Sequence, residues 1–393
     1  MPFAKRCIRM RRNKSNILKL TIFNLLNGAS WQAMIPYIPV MATERFKASG
    51  SDIGILNAVN GLVSTVANPL WGFVSHRTKR IMLLFALSQI AVAFSWLAMS
   101  LSTNMPQLFV VQGMQSFVAA LGSVCSLVVL SLVTEVTTRG SVNAVLFTAW
   151  GIGGFIAAPL SGWLIDLFGY EASGILASIL GAISTLPLLT LKVDVKSISH
   201  VHRSFDFVNR DYVQFLIAIG TWTFLWSMAW PLFPLSQVRI FNLSKSTIGY
   251  LVMVGGLVGI LSRIPLGRLC DRLGRRPILL ISPILLSALP LGYALAPTVE
   301  WLFIATVITN VGFSAYLVSS NTYLLDVTEG EERLAYSMAM YNIVVGITSS
   351  IGPLAGGVLS DYLGLEQALL LAAFARALGS LIFMILPETL RRA

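Results

Sequence analysis

Long apolar runs separated by short polar stretches set the organisation of this chain. A helix needs about 20 apolar residues to cross the hydrocarbon core of a bilayer. On that ruler the pattern predicts about twelve crossings, beginning near residues 17, 52, 80, 107, 141, 170, 211, 246, 277, 300, 334 and 366. The first run, residues 17–40, follows a basic arm of Lys5, Arg6, Arg9, Arg11, Arg12 and Lys14. It is longer than the apolar segment of a secretory signal (about 7–15 residues), contains Asn24 and Asn27, and has no small-residue cleavage site, so it is read as a retained helix.

The pattern also repeats. Trp31, Pro36 and Pro39 recur as Trp226, Pro231 and Pro234, and Ser51, Ile53 and Gly54 recur as Ser246, Ile248 and Gly249, each 195 residues later (246 minus 51). Pro159 and Gly162 recur as Pro353 and Gly356 at an offset of 194 (353 minus 159). A constant offset through the chain predicts two six-helix repeats, residues 1–191 and 211–393, joined by a polar cytoplasmic linker over 192–210. The expected fold class is therefore all-α and integral to the membrane.

Composition agrees: 11% of the 393 residues are charged, against about 25% in soluble domains. The net charge of +11 raises nucleic acid as a partner, and the placement of the basic residues removes it. Of the 28 Lys and Arg, 22 fall on one alternate set of loops and chain ends, while the opposite loops hold only Arg45, Lys47, Arg239 and Lys245. That bias places both termini in the cytoplasm. Cys7, Cys125 and Cys270 have no metal or redox spacing. No nucleophile with its base, metal-ligand spacing or nucleotide loop supports an enzyme.

The most charged loop is residues 267–276, GRLCDRLGRR, in which Asp271 stands among Arg268, Arg272, Arg275 and Arg276. It resembles the loop between the second and third helices of each half of the major facilitator superfamily. With the duplication, this resemblance covers nearly the whole chain. It implies a solute carrier, usually monomeric, that binds its substrate near the membrane midplane and exposes it to alternate sides. It also implies a conformational latch at Gly267, Asp271, Arg272, Gly274, Arg275 and Arg276, with Asp271 meeting a helix N-terminus and a nearby arginine. The first repeat carries a weaker form over 72–80, with His76 in place of Asp271.

Polar residues at helical spacing mark the candidate cavity, because an amide in hydrocarbon must be paired or wet. Asn24, Asn27 and Trp31 share a stripe of the first helix, Gln112 and Gln115 of the fourth, and Asn310, Ser314 and Asn321 of the tenth. The seventh adds Trp222, Thr223 and Trp226, and the eleventh Tyr341 and Asn342. Helix-to-helix glue accounts equally well for any one of them. Amides and aromatics without charge suit a neutral or lipophilic solute, with cations accommodated through tryptophan faces.

No cofactor is expected, and a proton gradient is the candidate driving force. Yet the carboxylates cluster near helix ends, and Phe109 stands where antiporters of the resembled family carry an arginine before Gln112-Gly113. His76 reads as a solvated loop residue or a pH sensor. The glycine-proline run at 352–357, echoed at 158–163, resembles the antiporter pattern of that family. Arg376, midway along the twelfth helix, reads as half of a structural pair in preference to an anion site. Together these features point to an inner-membrane secondary transporter that exports a lipophilic or drug-like compound. Uptake of a sugar or organic acid is the alternative.

Overall fold

The computed structural model describes residues 2–78, 80–134, 139–191, 209–328 and 331–390, without the side chains of 2–13, 76, 139 and 331–335. The basic arm from Lys5 to Arg12, His76, Lys79, Glu135, the linker over 192–208, Arg333, Arg391 and Arg392 therefore lie outside what is described. The described residues are helical, with no strand. In the first repeat the elements are α1 (Pro2–Met34), α2 (Ile38–Arg45), α3 (Gly50–Arg77), α4 (Ile81–Ser100), α5 (Met105–Val133), α6 (Arg139–Phe168) and α7 (Tyr170–Leu189). The second repeat has α8 (Arg210–Ser227), α9 (Leu232–Arg239), α10 (Lys245–Leu273), α11 (Arg275–Leu286), α12 (Ala288–Leu295), α13 (Val299–Val327), α14 (Glu331–Leu363) and α15 (Leu365–Gly379), closed by a 3₁₀ turn at Ser380–Ile385.

Counting α8 with α9, α11 with α12 and α15 with the 3₁₀ turn as one span each, eleven spans among the described residues are long and apolar enough to cross a membrane. The remaining expected crossing, α1, has the length but carries Lys19, Asn24, Asn27 and Gln32, which dilute its apolar content. Phe94, Leu261 and Leu378 each expose about two thirds of their surface (68%, 67% and 65%). Such outward apolar faces are stable only against lipid.

Backbone devices recur at the same offset as the sequence. The only non-glycine residues in the left-handed region among those described are Lys47 (φ 56°) and Asn242 (φ 45°), and Gly169 (φ 86°) is matched by Gly364 (φ 88°). Both pairs are 195 apart (242 minus 47, 364 minus 169). Ser49 and Asp52 open α3 with a reciprocal capping box, the Ser49 N–H donating to Asp52 Oδ2 at 2.8 Å and the Asp52 N–H to Ser49 Oγ at 3.1 Å. At α10 the equivalent pair is Ser244 and Thr247, of which only the serine cap on the Thr247 N–H (3.2 Å) is formed.

Two compact units result, one of Met1–Ile38, Val66–Ser199 and Ser244–Met253, the other of Pro39–Thr65, His200–Leu243 and Val254–Ala393. In the first, α1 packs on α6 and α7, and α4 on α5 and α7. The α1 and α6 backbones touch through glycine: a Cβ at Gly28 would strike the Trp150 carbonyl, and one at Gly153 the Leu25 carbonyl. Its core gathers Leu20, Phe23, Phe85, Cys125, Val129 and Leu188. In the second, α8 packs on α14 and α15, α11 on α13, and α12 on α13 and α15, around Phe215, Trp222, Leu279, Tyr316, Tyr323 and Phe383.

Candidate functional site

A cavity of about 470 Å³ opens within the first unit, between α1, α4, α5 and α6. Asn24, Asn27 and Trp31 of α1 line it. Opposite stand Phe85 and Gln89 of α4, Ser123 and Ser126 of α5, and Asn143, Phe147 and Trp150 of α6. No charged side chain lines it. Asn27 Nδ2 donates to Gln89 Oε1 at 2.7 Å, so two amides hold each other at the wall and keep hydrogen-bonding atoms for a guest. Gly122 makes room for this pair, since a Cβ there would come within 2.5 Å of Gln89 Nε2. Asn24 Nδ2 donates to the Leu20 carbonyl at 2.8 Å, and Trp31 stands edge-on to Trp96 with ring centres 5.2 Å apart.

Other expected residues lie elsewhere. Gln112 and Gln115 are buried outside the cavity, where Gln112 Nε2 donates to Gln115 Oε1 (3.4 Å) and Ser116 Oγ (3.3 Å) along their own helix. In the second unit Trp222 is fully buried in the core and stacks on Trp226 at 5.3 Å. The Ser314 hydroxyl, also buried, donates to the Gly259 carbonyl at 3.1 Å, tying α13 to α10 as helix glue. Asn310 Nδ2 donates to the Thr306 carbonyl, Tyr341 stacks on Phe215, and Asn321 and Asn342 are exposed. Gln89 and Asn143 are the cavity amides that stripe reasoning misses, because each is the single amide of its helix on that face.

The arginine-rich turn is held by a different carboxylate from the one the motif suggests. Gly274 takes φ 98°, and its missing Cβ leaves space for Glu388, whose oxygens would lie 2.5 to 2.8 Å from it. Glu388 caps α11: its Oε1 accepts from the backbone N–H of Arg275 (3.1 Å) and of Leu390 (3.0 Å), and its Oε2 from that of Arg276 (3.0 Å). Burial alone would raise this carboxyl, but these backbone donors hold it below its ordinary value. Arg275 Nε meets Asp326 at 3.0 Å, and Asp326 also accepts from Thr389 Oγ1 at 2.6 Å. Asp271 is 72% exposed and, among the described residues, reaches only Arg275, at 3.6 Å, one turn along. Arg272 makes no hydrogen bond among the described residues, and a Cβ at Gly267 would meet Val318 at an ordinary 4.0 Å.

The model of the Major Facilitator Superfamily matches residues 20–210 and 213–393. The chain belongs to this superfamily. It is therefore a multi-pass membrane transporter of small molecules, not an enzyme. Among superfamily relatives, the chain is 24% identical to multidrug resistance protein MdtG of Escherichia fergusonii, over 92% of this chain and 91% of that one. It is 30% identical to a chloramphenicol resistance protein of Pseudomonas aeruginosa, over 29% of this chain and 26% of that one. Solved superfamily structures share the fold: the nucleoside transporter NupG (TM-score 0.71, 16% identity, 94% of this chain and 98% of that one) and a bacterial homologue of the human lysosomal transporter Spinster, inward-facing and unoccupied (TM-score 0.76, 13%, 95% and 96%).

Two carboxylates in this superfamily member clamp helix starts. Asp166 accepts from the Lys245 and Ser246 N–H groups, both at 2.9 Å, and from Ser246 Oγ. Asp361 accepts from Gly50 and Ser51 N–H, both at 2.8 Å, and from Ser51 Oγ at 2.6 Å. They stand 195 residues apart (361 minus 166), and each meets a helix of the other sequence repeat.

Arg376 is 1% exposed and has no carboxylate within ion-pair distance among the described residues, so the expected pair is replaced by carbonyls. Its Nε and Nη2 donate to the Trp226 carbonyl at 3.1 and 2.6 Å, and Nη1 to that of Leu286 at 3.0 Å. Both carbonyls are released by helix breaks. Pro290, four residues after Leu286, has no N–H to offer, and the Trp230 N–H turns to Ser227 instead of Trp226. A guanidinium at two helix C-termini satisfies both.

Proposed function

We propose that the protein is a secondary exporter of neutral, lipophilic drug-like compounds, bound in the α1/α4/α5/α6 cavity and released by alternating access. The observation that carries this reading is the cavity wall itself. Phenyl and indole rings supply apolar contact, Asn24, Asn27, Gln89 and Asn143 supply hydrogen bonds, and no lining charge demands a charged solute. The full-length likeness to a multidrug resistance protein supports export. A site built from shape and a few amides is suited to a range of neutral guests. Loop charge favours both termini on the cytoplasmic side of the inner membrane. A proton gradient as the driving force and a monomer as the working unit complete the proposal.

The test uses radiolabelled chloramphenicol, an uncharged aromatic compound, in proteoliposomes holding the full chain, with and without an imposed pH gradient. Export predicts gradient-dependent movement that Asn27→Leu lowers about tenfold, the value of one lost hydrogen bond of about 1.4 kcal/mol. Movement unaffected by Asn27→Leu would remove the site assignment. Absence of movement with either gradient would remove the exporter reading and favour uptake of a sugar or organic acid.

A further inference from the structure

We propose that the turn between α10 and α11 binds the phosphodiester headgroup of an anionic phospholipid. A recess of about 490 Å³ lies there, lined by Arg272, Arg276 and Glu388 and by the apolar Leu273, Pro277, Leu280 and Leu390. Among the described residues no carboxylate pairs with the two arginines in it. Glu388 spends both oxygens on three backbone N–H groups, and among the described residues neither arginine lies within ion-pair distance of a carboxylate. Arg272 holds no partner among them, and Arg276 uses Nη2 alone, on the Met384 carbonyl at 2.8 Å. Its Nε is buried with no acceptor. The exposed Arg272 fork, unbonded among the described residues, and the unused Nη1 of Arg276 suit an oxyanion, and the planar fork of arginine matches phosphate oxygens.

The position selects a lipid over a free anion. The α10 span ends at Leu273 and the next begins at Arg275, so the recess sits where membrane helices end and headgroups lie. Below it on α11, Ile281 and Ile284 follow Pro277 at helical spacing and are 51% and 52% exposed. They extend the apolar lining that Pro277 and Leu280 supply on the same helix, along which an acyl chain fits and for which inorganic phosphate has no use. Basic residues close to a membrane surface attract anionic lipid additively.

The experiment is native mass spectrometry of the full chain in detergent, titrated with phosphatidylglycerol. Phosphatidylcholine serves as the zwitterionic control and inorganic phosphate as competitor. Phosphatidylglycerol should be retained in preference to phosphatidylcholine, about fivefold more weakly by Arg272→Gln and about 25-fold more weakly by Arg272→Gln with Arg276→Gln. Arg272→Gln breaks no described hydrogen bond, so a melting curve matching the native chain certifies its fold independently of Arg276. Equal retention of the two lipids overturns the proposal, as does unchanged phosphatidylglycerol binding in Arg272→Gln. Displacement by millimolar phosphate would reassign the recess to a free anion.

Discussion

The two sequence repeats share their ends and differ in their interiors. Left-handed turns, carboxylate clamps and serine caps recur at equivalent positions, all near helix termini. Within the membrane the repeats part. Asn27, a cavity wall in the first, corresponds to Trp222, a core residue in the second (222 minus 27 is 195). Helix α4 is continuous, whereas its counterpart is split at Ser287 into α11 and α12. The Trp31 carbonyl is satisfied in its own chain segment by the Ile35 N–H at 2.9 Å, while its counterpart on Trp226 needs Arg376. At the position equivalent to Arg376 the first repeat has Gly181 (376 minus 181 is 195). Duplication thus preserved the hydrogen bonds that fix where helices start, and left the midplane free to become an amide-lined hollow on one side and an aromatic core with a cationic staple on the other.

The largest test of this contrast is Arg376→Met, which strands two buried carbonyls and should cost about 2–6 kcal/mol, seen as a collapse of the detergent melting temperature or of folded yield. Gly181→Ala, whose added Cβ would lie 2.9 Å from Ala93 and Ser30, should cost less, about 1–3 kcal/mol. Equal losses would show that the staple is not special. Next, Asn27→Trp copies the second repeat into the first. It should fill the cavity and cut chloramphenicol transport by about tenfold or more, with little change in melting, since a closed hollow loses binding of about 1.4 kcal/mol or more. Retained transport would break the link between cavity and function.

Asp166→Asn and Asp361→Asn should each remove about 0.3–1 kcal/mol, as exposed carboxylates at helix N-termini do, and by similar amounts if the clamps are true counterparts. A measurable loss in only one would mean that the duplicated geometry has ceased to be equivalent. The smallest effect concerns Glu388. Its folded carboxyl titrates below the ordinary 4.5, so its stabilisation is present above that value and disappears as pH falls through the lower folded one. Melting curves of Glu388→Gln should therefore coincide with the native chain at strongly acid pH and fall below it by a degree or two at pH 7, a shift on the order of 0.5 kcal/mol.

Much of this was legible in sequence because helix ends announce themselves locally. Except for α1, which already begins at Pro2, the crossings begin within a few residues of where apolar runs start, and the 195-residue offset reappears in backbone angles. The stripe of Asn24, Asn27 and Trp31 was readable since three polar positions on one face need a shared reason. Gln112 and Gln115 imitate such a stripe, but an amide can be met by its own helix neighbours, which spacing does not reveal. Gln89 was hidden as a lone amide whose partner lies 62 residues away. Asp271 drew attention through the motif it sits in, while the capping carboxylate, Glu388, is more than a hundred residues further along and carries no local signal. Arg376 suggested a missing acid because charge looks for charge, whereas its partners are backbone carbonyls released by a proline and a turn.

That staple also bears on how the protein is made. An arginine at the centre of a nascent helix opposes its partition into lipid by about 2.5–3.5 kcal/mol. The Trp226 and Leu286 carbonyls belong to helices synthesised earlier, so their acceptors are already in the bilayer when α15 leaves the ribosome. This membrane segment can accordingly enter by docking onto a partly assembled neighbour, its charge passing from the insertion machinery to waiting oxygen atoms without meeting bare hydrocarbon.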